Sequence, residues 1–150
     1  MTTHFKGYLV AENGFKVGDK DSSVAASSGW SPATSTITVG EENATVINVA
    51  IQFNDAEGNA MTTPCFANIY FSTDAAGQGY PTLLDTLAIG TDGTILNALE
   101  AGLFVQAVSE ADGDLDLDCT RDATTTMYLN LVAPDGTVVT SDVLTFTASG

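Results

Sequence analysis

The chain has 150 residues, a formal net charge of −15 and two cysteines. A chain of this length forms one ordinary domain and buries enough surface to fold without a metal or a disulfide. The charge excludes most nucleic-acid and anionic-membrane partners, because both are contacted through clustered Lys and Arg. No apolar run approaches the roughly 18 residues of a membrane span, and the first residues lack the apolar core of a signal peptide. We therefore expect synthesis in the cytoplasm and no membrane or nucleic-acid partner.

The charge is divided unevenly along the chain. Residues 1–20 hold three lysines and two acids, a net charge of +1. Residues 21–150 hold one base, Arg121, and seventeen acids, a net charge of −16. An acidic body of this kind repels its own copies and stays soluble, while the short basic segment is free to contact another surface.

The first 43 residues have the composition of an extended attachment arm followed by a linker. Short strands are predicted at residues 4–10 and 15–18, separated by a turn at Asn13-Gly14. Residues 22–35 are rich in serine, which is typical of linkers. The arm side chains that we expect to contact another protein or another copy are Phe5, Lys6, Tyr8, Leu9, Phe15, Lys16, Val17 and Trp30. The alternative is that these side chains pack against the chain's own body, and for Trp30 that it covers the core.

The rest of the chain alternates short apolar strands with turns rich in Asp and Gly. In the clearest strand, residues 45–53, every second residue is a large apolar one, which is the period of a strand with one buried face. Further strands are predicted at residues 36–39, 66–71, 95–101, 103–109, 115–119, 127–131 and 143–147. Residues 81–89 fit either a short helical turn or an irregular strand.

Seven or eight short strands at this spacing predict an all-β fold. We expect an immunoglobulin-like β-sandwich over residues 44–150, preceded by the extended N-terminal arm and linker over residues 1–43.

The most acidic stretch, Glu110–Asp118, carries five carboxylates in nine residues. It does not have the EF-hand pattern, because the sixth and twelfth positions counted from Asp112 are Leu117 and Ala123 instead of Gly and Glu. Strand alternation explains three of the aspartates as one solvated face, and adventitious Ca²⁺ binding is the alternative. We therefore expect no metal site.

The residues of a catalytic site are not evident either. His4, the only histidine, lies in the arm, which disfavours a Ser-His-Asp or Cys-His arrangement. Cys65 and Cys119 lack the spacing of zinc ligands and are predicted to be free buried thiols, with a disulfide as the alternative. No phosphate-binding glycine motif is present. The sequence therefore predicts a protein that is not an enzyme and needs no cofactor.

Two parts of the sequence resemble structural proteins of tailed bacteriophages. The opening HFKGYLV, followed by ENGF, resembles the HF.GPL…NGF start of head-associated proteins, with Tyr8 where proline is frequent. The ordered segments INVAIQFNDAEGNAM, ANIYFSTDAAGQG, AIGTDGTI, VSEADGDLDL and YLNLVAPDGTVVTSDVLTF resemble a recurrent phage structural domain over most of residues 47–147. The resemblance implies a capsid decoration (cement) protein or a head-fibre protein of the virion.

The resemblance also implies a partner and a location. The partner would be the major capsid protein, contacted on the capsid exterior by the arm of a homo-oligomer, with a trimer favoured. Such a protein stabilises a shell under internal pressure by burying area across many identical seams. The alternative is a head-fibre or tail-associated adhesin that binds a host-surface glycan through exposed aromatic residues such as Tyr80 or Trp30.

Overall fold

The computed structural model describes residues 16–17, 20–21, 32 and 34–149. All regular structure in this part of the chain is β, and every paired strand is antiparallel. The strands are β1 (Lys16–Val17), β2 (Lys20–Asp21), β3 (Thr34–Val39), β4 (Val46–Asn54), β5 (Phe66–Ser72), β6 (Thr86–Ile89), β7 (Thr94–Glu100), β8 (Phe104–Val108), β9 (Asp114–Thr120), β10 (Thr125–Val132) and β11 (Val138–Phe146). β1 and β2 pair with each other as a short two-stranded sheet.

The other nine strands form a sandwich of two sheets. The four-stranded sheet has the order β3-β4-β9-β6, and the five-stranded sheet has the order β11-β10-β5-β8-β7. Seven of these strands follow the order of an immunoglobulin constant domain. β3, β4, β9 and β6 take positions A, B, E and D, and β5, β10 and β11 take positions C, F and G. The predicted immunoglobulin-like β-sandwich is confirmed.

A hairpin inserted between positions D and E distinguishes this sandwich from the constant-domain order. Its strands, β7 and β8, extend the five-stranded sheet beyond position C, and β7 is the outermost strand. Variable-type domains add strands at the same side of the sheet, but between positions C and D. The insertion creates a sheet edge and a groove that the seven-strand core alone would not have.

The core lies between the two sheets and is built by strand alternation. On β4 and β9, Val49 pairs with Leu117 and Ile51 pairs with Leu115, and all four side chains are fully buried or nearly so. The facing sheet contributes the buried residues Ile69, Phe71, Val105, Met127, Leu129, Leu131, Leu144 and Phe146. Burial of one such side chain contributes about 1.5–3 kcal/mol, so the alternating apolar positions supply the main driving force for folding.

Two strands begin earlier than predicted, and a third decides between two predicted alternatives. β3 pairs with β4 from Thr34 to Val39, so the sandwich includes residues ahead of the boundary drawn between residues 43 and 44. Residues 81–89 contain a strand, β6, which pairs with β9 and leaves no helical turn there. β11 begins at Val138, several residues before the predicted start at 143. In all three cases Thr and Ser weaken the apolar alternation, although β-branched Thr pairs well in sheets.

The two lateral edges of the sandwich are closed differently. At one edge, Glu42 accepts hydrogen bonds from the Thr147 backbone N–H at 3.0 and 3.1 Å, which ties the turn after β3 to the end of β11. At the other edge, β6 and β7 leave a cavity of about 220 Å³ between the sheets. An ion pair of 2.7 Å between Arg121 and Asp85 lies beside this more open edge.

Candidate functional site

A groove of about 460 Å³ lies at the end of the inserted hairpin. Its lining residues are Tyr70, Phe71, Gly79, Tyr80, Glu100, Leu103 and Phe104. Phe104 of β8 pairs with Tyr70 on one side and with Glu100 on the other, so these three side chains project from the same face of the sheet. The groove therefore combines aromatic rings with one carboxylate.

The loop after β5 forms one wall of the groove and is braced by hydrogen bonds. Asp74 Oδ1 accepts from the backbone N–H groups of Ala76 at 3.0 Å and Gln78 at 2.8 Å. Gly77 has a φ of 75°, and its carbonyl accepts from the Tyr70 hydroxyl at 3.2 Å. A Cβ at Gly77 would lie 2.7 Å from that hydroxyl oxygen, so the loop reaches the sheet only because this residue is glycine.

A buried polar cluster lies under the loop. Asn130 Nδ2 donates to Ser72 Oγ at 2.7 Å, and the Thr140 hydroxyl donates to Asn130 Oδ1 at 2.8 Å. Asn130 and Ser72 are completely buried. Because an unpaired buried polar group costs about 1–3 kcal/mol, this cluster fixes the relative positions of β5, β10 and β11 below the groove.

Tyr80 and Glu100 form the open side of the groove. Tyr80 is 66% exposed and donates its hydroxyl proton to Glu100 Oε1 at 2.7 Å. This hydrogen bond, followed by some desolvation and the charge of the carboxylate, raises the pKa of Tyr80 above its ordinary value. An exposed ring beside a carboxylate can stack on a flat apolar surface while the carboxylate accepts hydrogen bonds or pairs with a cation.

Exposed apolar side chains are concentrated along the same edge of the molecule. The pairing of β7 with β8 skips Leu96 and then Leu99, so each leucine is the extra residue of a β-bulge. The two side chains are 56% and 54% exposed. Leu83, which is 38% exposed, precedes Leu84, whose backbone N–H donates to the Gly102 carbonyl just beyond β7. We call Tyr80, Leu83, Leu96 and Leu99 the apolar edge.

The acidic run of β9 lies on the outer face of the four-stranded sheet, as alternation predicts. Asp114, Asp116 and Asp118 are partly exposed and alternate with buried residues. Two of them accept hydrogen bonds from neutral side chains. The Asn48 amide donates to Asp118 at 3.0 Å, and the Thr91 hydroxyl donates to Asp116. Desolvation, then the charges of three neighbouring aspartates, raise the pKa of Asp114. Among residues that the structure describes, no group of three or more His, Cys, Asp or Glu could hold a metal ion.

Cys65 and Cys119 are free and buried, which confirms the prediction of free thiols over a disulfide. Burial raises the pKa of the Cys119 thiol to about 12, with a smaller contribution from the charge of Asp118. Burial also raises the pKa of Cys65, against the opposing effect of a hydrogen bond with Ser109. Neither thiol forms the thiolate that nucleophilic chemistry requires near neutral pH.

Most of the arm residues proposed as contacts lie outside the described residues. These are Phe5, Lys6, Tyr8, Leu9, Phe15 and Trp30. Lys16 and Val17 form β1, where they pair with Asp21 and Lys20 of β2. Of the exposed aromatic residues expected to bind glycan, Tyr80 lies in the groove. Sequence reasoning missed Leu96 and Leu99 of the apolar edge, because a β-bulge leaves no periodic pattern in the segment ILNALEA.

Comparison with known proteins assigns no family to the chain. No protein-family model matches it, and no curated protein matches it significantly. In the part of the chain described by the structure, no helix is long and apolar enough to cross a membrane.

Proposed function

We propose that the protein is a non-catalytic structural component of a tailed-phage virion, a decoration protein that binds the outer surface of the capsid and stabilises it. The major capsid protein is its partner. The observation that carries the proposal is the division of the chain into a basic, aromatic N-terminal segment and a strongly acidic β-sandwich. The resemblance of both parts to phage head proteins supports it.

The charges of the sandwich favour attachment through the arm. Arg121 is the only Lys or Arg after residue 20, and its guanidinium is paired with Asp85 at 2.7 Å. Two acidic sandwiches brought together on a shell therefore repel each other, with no basic group left to offset the repulsion. The lysines that can attract an acidic surface are Lys6, Lys16 and Lys20. The arm is thus the part of the chain best suited to hold the protein on a lattice.

A protein that binds only the assembled shell stabilises it by mass action, and many identical sites multiply a small energy per copy. A rigid, closed sandwich suits this role because it adds little flexibility at each site. The sandwich would project outward from the shell, where its negative charge keeps decorated particles apart.

Truncation of the arm tests the proposal. A chain lacking residues 1–20 should still fold and unfold in one cooperative transition, because the sandwich begins at β3. We expect its affinity for empty capsids, measured by co-sedimentation, to fall by at least about tenfold, which corresponds to about 1.4 kcal/mol of lost contact. Equal binding by the truncated and full chains would show that the arm is not the attachment segment.

A second candidate function is glycan binding by a head-fibre or tail-associated adhesin. The observation that favours it is the groove, where Tyr70, Phe104 and exposed Tyr80 surround Glu100. Saccharides stack on exposed aromatic rings and donate hydroxyl hydrogen bonds to carboxylates. A glycan array with the full chain tests this function, with Tyr80→Ala as the disabling change and Tyr128→Ala, a partly exposed β10 tyrosine outside the groove, as the control. Binding that survives Tyr80→Ala would place any glycan site elsewhere.

A further inference from the structure

The apolar edge is the part of the described surface that most needs a partner. Six large apolar side chains are exposed in the described residues, and four of them form this edge: Tyr80, Leu83, Leu96 and Leu99. The remaining two, Val138 and Val143, lie on β11 at the opposite side of the five-stranded sheet. Clustered apolar side chains on a sheet edge mark an interaction surface more often than scattered ones do.

We propose that the apolar edge is the docking surface for the chain's own N-terminal segment, residues 4–10, in the free protein. The segment carries Phe5, Tyr8 and Leu9, which match the apolar character of the edge. It also carries Lys6, and the edge ends at Glu100, an exposed carboxylate.

The net charge of the body favours the N-terminal segment over a second copy of the protein as the partner of the apolar edge. The edge belongs to a body of net charge −16 whose single base is already ion-paired. A second sandwich would meet the edge with the same charge and be repelled. Within this chain, an apolar segment that also carries an unopposed cation occurs only near the N-terminus, since the other lysines are Lys16 and Lys20.

The length of the chain allows the segment to reach the edge of its own body. β3 begins at Thr34, and residues 22–33 alone can span about 40 Å when extended. A four-stranded sheet is about 15 Å wide, and a seven-residue strand is about 23 Å long, so the diagonal across the sandwich is within reach. A tethered segment also acts at an effective concentration in the millimolar range, which favours docking within one molecule over docking between molecules.

Limited trypsin cleavage tests the proposal on the full-length protein. Trypsin cuts after Lys and Arg, and Lys6 lies inside the proposed docking segment. The double variant Leu96→Asp, Leu99→Asp should release the segment and raise the rate of cleavage after Lys6 by about tenfold or more, because a bound segment is cut only when it opens. The two added aspartates would strengthen a purely electrostatic contact between Lys6 and the edge. Faster cleavage after Lys6 in this variant would therefore show that apolar contacts hold the segment in place.

The matched control is Val138→Asp, Val143→Asp, which adds the same charge at exposed positions of β11. Its cleavage rate after Lys6 should equal that of the unaltered protein. Equal rates in the unaltered protein and the Leu96/Leu99 variant would overturn the proposal. So would protection that weakens on dilution, because another copy would then be the occupant.

A second measurement does not depend on the folding of the leucine variant. Amide hydrogen exchange in Thr94–Glu100 should be slower in the unaltered chain than in the variant Phe5→Ser, Leu9→Ser, whose sandwich residues are unchanged. Identical exchange in the two proteins would contradict docking. Both experiments use the purified protein without capsids, so their outcome is independent of the proposed decoration function.

Discussion

At Gly77 the backbone passes directly over the sheet, and the residue has both a φ of 75° and a close neighbour in the Tyr70 hydroxyl. Gly58 has a similar φ of 86°, but no atom lies within 4 Å of the point that a Cβ would occupy there. The two glycines therefore separate two costs of an added methyl group. One is backbone strain, which both would carry, and the other is a steric clash, which only Gly77 would carry.

We predict that Gly58→Ala lowers the free energy of unfolding by about 1 kcal/mol and that Gly77→Ala lowers it by about 1–3 kcal/mol more. The additional loss arises because the loop must lift from Tyr70 and Asn130 to admit the methyl group. Urea denaturation of the two variants measures the difference. Equal losses would mean that the loop does not rest on the sheet as described.

Among the elements, β9 shows the effect of packing like charges on one strand face. Its inward residues are buried, while Asp114 has a raised pKa caused first by desolvation and then by neighbouring aspartates. A carboxylate with a raised pKa in the folded state destabilises that state when ionised. The acidic face of β9 therefore lowers the free energy of unfolding slightly at neutral pH. Burial of the apolar residues on the other face of the same strand offsets this loss.

Asp114→Asn removes that charge and keeps the side-chain shape. We predict that it raises the free energy of unfolding by a few tenths of a kcal/mol at pH 7 and low salt, as for like charges across a sheet. The gain should shrink as pH falls through the pKa of Asp114, because protonation then neutralises the aspartate in both states. It should also shrink in high salt.

The control for this prediction is Asp142→Asn, which removes an exposed charge on β11, away from the β9 face. Chemical denaturation of both variants and of the unaltered protein, at two pH values and two salt concentrations, gives the comparison. A gain of the same size in both variants would indicate relief of overall net charge and not of the local cluster.

The strands also show what alternation reveals in a sequence and what it does not. β4 and β9 are predictable because each alternates large apolar residues with polar ones over most of its length. β6 is a short strand in a Thr-containing segment, and its pairing with β9 depends on a partner distant in sequence. The bulges of β7 have no period at all, so the apolar edge could be found only from the structure.

For the whole molecule, the sequence predicts an immunoglobulin-like sandwich and the two strands of the inserted hairpin, but not that these strands extend the five-stranded sheet beyond β5. Strand order depends on which segments meet in space, and local periodicity carries little information about that choice. The groove depends on the insertion, since Glu100 and Phe104 come from its two strands. Of the groove residues, Tyr80 alone is a candidate from the sequence, as an exposed aromatic in a loop.

The arm has two proposed contacts, one with the apolar edge in the free protein and one with the shell on the particle. The same apolar and basic side chains would serve both, so the contacts exclude each other for a given copy. Docking on the edge would lower the apparent affinity for the shell in proportion to the undocked fraction. The apolar edge would then be exposed again on the particle.

A density map of an intact phage particle that contains this protein tests the decoration proposal most directly. We expect the sandwich on the outer surface of the head, with residues 4–20 against the major capsid protein and the acidic face of β9 directed away from the shell. Density for the chain inside the head or on the tail would contradict the account, as would a sandwich that contacts the shell without the arm.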